Sequence, residues 1–177
     1  TLVYDNYSTN ILWIAESARD GKFTQGKPQP FNGMFRHALW PLRFNFMDFE
    51  LLREMTANCP TRGISVCDMP FDRWVGTLYK LGGIHKFKSG VKIKLEEDFF
   101  AYGDIVIRVK FSPETIAFLD QVYSKIGNIK QLFRFYLEGV DKKDPSHIEV
   151  TIEHNPTLAR MIGNQIKQYL DGPVKKK

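Results

Sequence analysis

Cysteine is scarce in this sequence, and long apolar runs are missing. The 177 residues include two cysteines, Cys59 and Cys67, too few for a disulfide framework, so we expect a reducing environment. No apolar run approaches the roughly 18 residues that a membrane span needs. Zinc knuckles place roughly two to four residues between paired cysteines. The longer interval between Cys59 and Cys67 therefore does not predict a metal site.

Signatures of common catalytic sites are also missing. Gly82-Gly83 lacks the spacing of a P-loop, and no HExxH or GxSxG pattern occurs. His147, Glu149 and Glu153 fall on one predicted strand face, which the alternation of a solvated strand explains. The acidic run 96–98 is typical of a strand entering a turn. We therefore predict no catalytic residue, no metal and no cofactor, although a fold could still bring a histidine to a nucleophilic cysteine.

Positive charge is in modest excess. Lys and Arg total 25 against 20 Asp and Glu, which gives a net charge of +5. Residues 80–94 contain lysines and no acidic residue, so this region is the candidate assembly or DNA-facing site. Either it contacts phosphate, or it is a solvated face that protects a sheet edge; we favour the second because arginine and stacked aromatics are lacking. The candidate lysines are Lys80, Lys86, Lys88, Lys92 and Lys94.

Hydrophobic periodicity predicts a mainly antiparallel α+β domain, a β-sandwich or barrel with a packed helix and terminal helices. Several strands follow one another without intervening helices, which argues against a doubly wound sheet. Helices are predicted over residues 11–19, 113–126 and 156–170, from capping residues and apolar stripes. Strands are predicted over residues 43–55, 63–66, 74–80, 91–95, 105–111, 131–138 and 147–154.

Composition divides the chain into three parts. Residues 1–33 are predicted to form an N-terminal helix and an extended arm, residues 34–172 a single β-rich domain, and residues 173–177 a lysine tail. The stretch 21–33 is rich in glycine and proline and too polar to form a core alone. We expect it to project from the domain and pack on another chain.

An ordered series of short motifs runs through residues 49–99. A hydrophobic strand leads into the turn Ala57-Asn58-Cys59-Pro60, and Ile64-Ser65 restarts the chain. A basic stretch with Gly82-Gly83 and Phe87 follows, before a predicted strand that ends in acidic residues. This order resembles the core of the tail tube proteins of contractile-tailed bacteriophages, over about half of the chain.

The resemblance implies a structural virion protein that is not an enzyme. Such proteins form hexameric rings that stack into a tube, with a lumen through which DNA passes. The implied partners are further copies of the chain and sheath, baseplate or neck proteins, without a membrane. The implied location is the phage tail, assembled in the host cytoplasm. The alternative is a small basic nucleic-acid-binding protein that uses residues 80–94.

Overall fold

The computed structural model describes residues 1–4, 7–22, 29–39, 50–51, 53–54, 57, 59–81, 86–139 and 147–172. These residues contain seven strands and five helices. The strands are β1 (Leu2–Tyr4), β2 (Phe31–Phe35), β3 (Thr61–Ser65), β4 (Lys86–Lys88), β5 (Asp98–Tyr102), β6 (Ile105–Phe111) and β7 (Ile148–His154). The helices are α1 (Tyr7–Arg19), α2 (Pro70–Leu81), α3 (Pro113–Lys125), α4 (Ile129–Leu137) and α5 (Pro156–Asp171).

All seven strands belong to one mixed sheet, in the order β1-β7-β6-β5-β2-β3-β4. Strands β2, β3 and β4 are parallel, and the other neighbours are antiparallel. The predicted α+β class with mainly antiparallel pairing is confirmed. The sheet is not closed into a barrel, and the sandwich is not confirmed among the described residues.

Helices cover both faces of the sheet. On one face, Ile162 and Ile166 of α5 pack with Met34 and Ile64 of the two central parallel strands. The larger core lies on the opposite face, where residues of α1, α2, α3 and α4 surround the aromatic side chains of β2 and β5. None of the helices among the described residues is long and apolar enough to cross a membrane.

The helix starts follow local capping chemistry. Ser112, Asn128 and Asn155 each accept a hydrogen bond from a backbone N–H three residues later, at the starts of α3, α4 and α5. This satisfies a donor that the first helical turn leaves without a partner. The three predicted helices are confirmed, with α1 beginning earlier than expected.

Two predicted strands are wrong. Residues 74–80 lie in α2, and residues 131–137 lie in α4, which Glu138 caps. Phe71, Val75 and Tyr79 are buried at intervals of four residues, which is one side of a helix. In such short windows, tertiary packing decides between the periods of 2 and 3.6 residues.

The strands predicted over residues 91–95 and 43–55 do not form in the part of the chain that the structure describes. Residues 91–95 alternate between more and less buried side chains, as expected, but they form no strand. They pass beside β3, where the Val91 N–H donates to the Ser65 carbonyl at 3.0 Å. Most of the predicted strand 43–55 lies outside the described residues, and its described positions 50, 51, 53 and 54 are helical.

The predicted arm is wrong where the structure describes its end. Phe31–Phe35 forms β2, which lies between β5 and β3 inside the sheet, so the proposed boundary between residues 33 and 34 cuts a central strand. Gly33 is required there, because a Cβ atom would lie 1.9 Å from Cζ of Phe35. Residues 23–28 and the lysine tail lie outside the described residues.

The variant Gly33→Ala should reduce the free energy of unfolding by about 1–3 kcal/mol, because the buried Phe35 ring has to move. Gly163→Ala in α5 is the matched control. Its added Cβ would meet nothing closer than 3.6 Å, so it should stabilise the protein by up to about 1 kcal/mol. Chemical denaturation measures both. A neutral Gly33→Ala would contradict the central position of β2.

Candidate functional site

Polar side chains meet at the carboxyl ends of the parallel strands β2 and β3. Arg36 and His37 follow β2 directly, and Cys67 comes two residues after β3. Strand β5 runs antiparallel to β2 and begins at this edge with Asp98. Ligand sites in α/β sheets commonly lie outside the carboxyl ends of parallel strands.

A fully buried carboxylate, Asp72 in the first turn of α2, organises this edge. Its Oδ1 accepts the backbone N–H of Ala38 at 2.7 Å. Its Oδ2 accepts the N–H of Met69 at 2.9 Å and lies 3.2 Å from Nδ1 of His37. Because backbone groups hold both oxygens, Asp72 fixes the orientation of the imidazole ring.

The other ring nitrogen of His37 faces α3. Its Nε2 lies 2.8 Å from Oδ1 of Asp120, and Tyr123 covers the ring with centroids 4.2 Å apart. Arg36 holds the same carboxylate through Nε at 3.0 Å and Nη2 at 2.7 Å. His37 is therefore clamped between two carboxylates on two helices.

Cys67 completes the cluster. A ligand atom of each of Cys67, His37 and Asp120 lies within 4.8 Å of the others. Burial raises the pKa of the Cys67 thiol to about 11, so the thiol is neutral near pH 7. A cysteine nucleophile needs a lowered pKa, whereas a bound metal ion deprotonates a coordinating thiol outright.

Two carboxyl groups at this edge have opposite pKa shifts. Burial raises the pKa of Asp98 to about 7, and the Arg36 N–H at 2.7 Å offsets this only in part. Burial also raises the pKa of Asp120, but hydrogen bonds from Arg36 and His37 outweigh it, and the net pKa is lowered. Asp120 is therefore ionised at neutral pH, while Asp98 is partly protonated.

The five predicted lysines lie on three different elements of the structure. Lys86 pairs with Asp171 at the end of α5, and Lys88 Nζ lies 3.3 Å from the Tyr169 carbonyl oxygen. The side chains of all five lysines are exposed. Lys80 lies at the end of α2, and Lys92 and Lys94 lie along the extended residues 91–95. Lys94 pairs with Glu96 at 3.2 Å. None of the five lysines belongs to the cluster.

Sequence reasoning missed this cluster. Its members come from separate elements between residues 36 and 120, so no local spacing marks them. The useful signal would have been that β2 and β3 are parallel neighbours, but β2 itself was not predicted. His147 directly precedes β7, Glu149 and Glu153 lie on it, and β6 separates β7 from β5 in the sheet.

The raised pKa of Asp98 predicts a pH dependence of stability. The folded state holds this proton more tightly than the unfolded chain, whose ordinary value is 3.8. The contribution of this proton to the free energy of unfolding is therefore complete below about pH 4 and is lost as the pH rises through about 7. The free energy of unfolding should fall by up to about 1.4 kcal/mol per pH unit in this range. Asp98→Asn should remove this slope in denaturant titrations. Asp104→Asn, which removes an exposed carboxyl from the β5–β6 turn, is the charge-matched control; identical behaviour of the two variants would contradict the assignment.

Comparisons with known proteins give no independent indication of what this site does. No protein-family model, no curated protein and no solved structure matches this chain. The resemblance to tail tube proteins therefore stays a prediction from the sequence.

Proposed function

We propose that the protein binds a divalent transition-metal ion, of which Zn²⁺ is the best match, through His37, Cys67 and Asp120. The single observation that carries this proposal is the convergence of one nitrogen, one sulfur and one carboxylate oxygen within 4.8 Å at a sheet edge. Zinc accepts all three ligand types, with bonds of about 2.0–2.3 Å.

The ligand atoms need only small movements to close around an ion. Tetrahedral zinc with these bond lengths separates its ligand atoms by about 3.5 Å. Nε2 of His37 and Oδ1 of Asp120 are already 2.8 Å apart. The ion would take the place of the proton between them, and Cys67 would close in as a thiolate. Metal binding at such groups releases protons.

The surroundings of His37 support this role. A metal-ligating histidine commonly donates its second ring N–H to a carboxylate. Asp72 stands in that position, 3.2 Å from Nδ1, and backbone N–H groups hold it in place. Nε2 is thereby left as the ligating atom.

The main competing interpretation is a purely structural network. In that case the contacts of Arg36 and His37 with the two aspartates would serve only to join the end of β2 to α2 and α3. Cys67 would then have no role in the site. A nucleophilic Cys67 is a weaker competitor because the pKa of its thiol is raised. The metal proposal replaces our expectation, from the sequence, of no metal site.

Metal content and cobalt spectroscopy test the proposal. The purified protein should bind one Zn²⁺ per chain, and Co²⁺ substitution should give a sulfur-to-cobalt charge-transfer band. Cys67→Ser should abolish this band. Cys59→Ser is the matched control, because Cys59 lies in the core near the Tyr102 hydroxyl and should leave the band unchanged. A band that depends on Cys59, or no stoichiometric binding, would overturn the proposal.

Asp72→Asn tests the supporting carboxylate. The amide keeps the shape, but its NH2 group replaces one of the two oxygens that accept backbone N–H groups, and its remaining oxygen carries no charge. The hold on His37 Nδ1 is weaker, so the affinity for Zn²⁺ should fall by about 10–100-fold. Competition with a chelating dye measures the affinity, and circular dichroism checks that α2 remains folded. Unchanged affinity in a folded variant would contradict the supporting role of Asp72.

A second candidate function is the tube-like assembly that the sequence resemblance implies. The supporting observation is the open sheet, whose outer strands are β1 and β4. β1 carries the exposed side chains Leu2 and Val3, and exposed apolar edges favour pairing with another chain. The nucleic-acid alternative has weaker support, because Lys86 and Lys88 already contact α5.

Light scattering and negative-stain microscopy at micromolar concentration test the assembly. Rings or tubes are expected, and Val3→Lys should give folded monomers, because the new charge pairs with Glu149 on β7 and blunts the edge. Thr157→Lys adds the same charge on α5, away from that edge. An unmodified protein that is monomeric under these conditions would contradict assembly, and a salt-dependent shift with duplex DNA would favour the nucleic-acid alternative.

A further inference from the structure

We infer that the metal-loaded site binds a phosphate group, held jointly by the ion and by Arg36. This inference rests on the proposed metal binding and adds its ligand class. Three protein ligands leave one position of a tetrahedral ion for solvent or for a ligand.

The burial of the surrounding side chains fixes the direction in which the open coordination position faces. The side chain of His37 is 2% exposed and that of Asp72 is fully buried, so the inner side of the site is closed. The side chains of Arg36 and Asp120 are 35% and 32% exposed. The open coordination position must therefore face the side that Arg36 and Asp120 share with solvent.

Arg36 has donors left for a ligand at that position. Its Nε and Nη2 atoms bind Asp120, whereas its Nη1 atom makes no hydrogen bond within the part of the chain that the structure describes. The backbone on both sides is held, since the Arg36 N–H donates to Asp98 and the Arg36 carbonyl accepts from Cys67. Asp120 and these backbone contacts thus present a preorganised guanidinium beside the ligand atoms.

A tetrahedral oxyanion fits this pair of cations best. One phosphate oxygen can occupy the open metal position while a second accepts N–H bonds from Nη1. Guanidinium groups bind phosphate through such charge-assisted hydrogen bonds. The bound ion supplies the larger local charge. Both inorganic phosphate and a phosphate monoester present this chemistry.

The experiment uses Co²⁺-loaded protein, with metal saturation confirmed by the charge-transfer band. Inorganic phosphate and phenyl phosphate are titrated separately, with the visible cobalt spectrum and calorimetry as readouts. Both should perturb the spectrum. Tighter binding of phenyl phosphate would identify a monoester ligand, and tighter binding of inorganic phosphate the free anion.

Arg36→Gln should weaken phosphate binding by at least about 10-fold, because hydrogen bonds between charged groups are lost. Arg36→Lys keeps the charge without the planar fork, so its phosphate affinity should lie between those of the unmodified protein and of Arg36→Gln. Arg73→Gln is the matched control, since Arg73 is an exposed arginine paired with Asp68; it should bind phosphate as the unmodified protein does.

The outcomes separate the two proposals. If Co²⁺ and Zn²⁺ do not bind, the proposed function fails and takes this inference with it. If the metal binds but phosphate leaves the cobalt spectrum unchanged, only the phosphate inference is wrong. Equal phosphate affinity in metal-saturated Arg36→Gln and Arg73→Gln would likewise overturn the role of Arg36.

Discussion

The buried carboxylate of Asp72 is the constraint on which this edge of the molecule depends. A carboxyl group in a protein interior is costly unless it has hydrogen-bond partners. Asp72 takes them from two backbone N–H groups, of Ala38 and Met69, and from the ring of His37. The chain leaving β2 and the start of α2 must therefore stay together, and the orientation of His37 follows from their position.

The same edge shows how position, rather than residue type, sets the charge of a carboxyl group. Asp98 is buried at the start of β5 with one strong backbone donor, so its pKa is raised to about 7. Asp120 keeps partial contact with solvent and receives two donors from Arg36, so its pKa is lowered. Two aspartates thus supply one ionised group and one partly neutral group, an arrangement common at functional sites.

The sequence predicts the parts of the fold that local chemistry controls. Helix α3 could be predicted because Ser112 caps it, Pro113 suits its first turn and an apolar stripe continues through it. Strand β2 could not, because its glycine and asparagine resemble a loop, and only the Phe35 ring lying over Gly33 explains that glycine. The cluster was also out of reach, since it depends on β2 and β3 being parallel neighbours. Where contacts are distant in the chain, tertiary packing overrides local propensity.

The arrangement around Asp120 decides how readily such a site could accept an ion. Oδ1 contacts both Nε of Arg36 and Nε2 of His37, while Oδ2, among the described residues, accepts from Nη2 of Arg36 alone. An ion that replaces the His37 proton would therefore disturb contacts at Oδ1 and leave the Oδ2 contact intact. The contacts of Asp72 would also stay, because they lie on the other side of the ring. The cost of reorganisation is then confined to Cys67 and one carboxylate oxygen, and a site that is largely formed before binding loses little affinity to ordering.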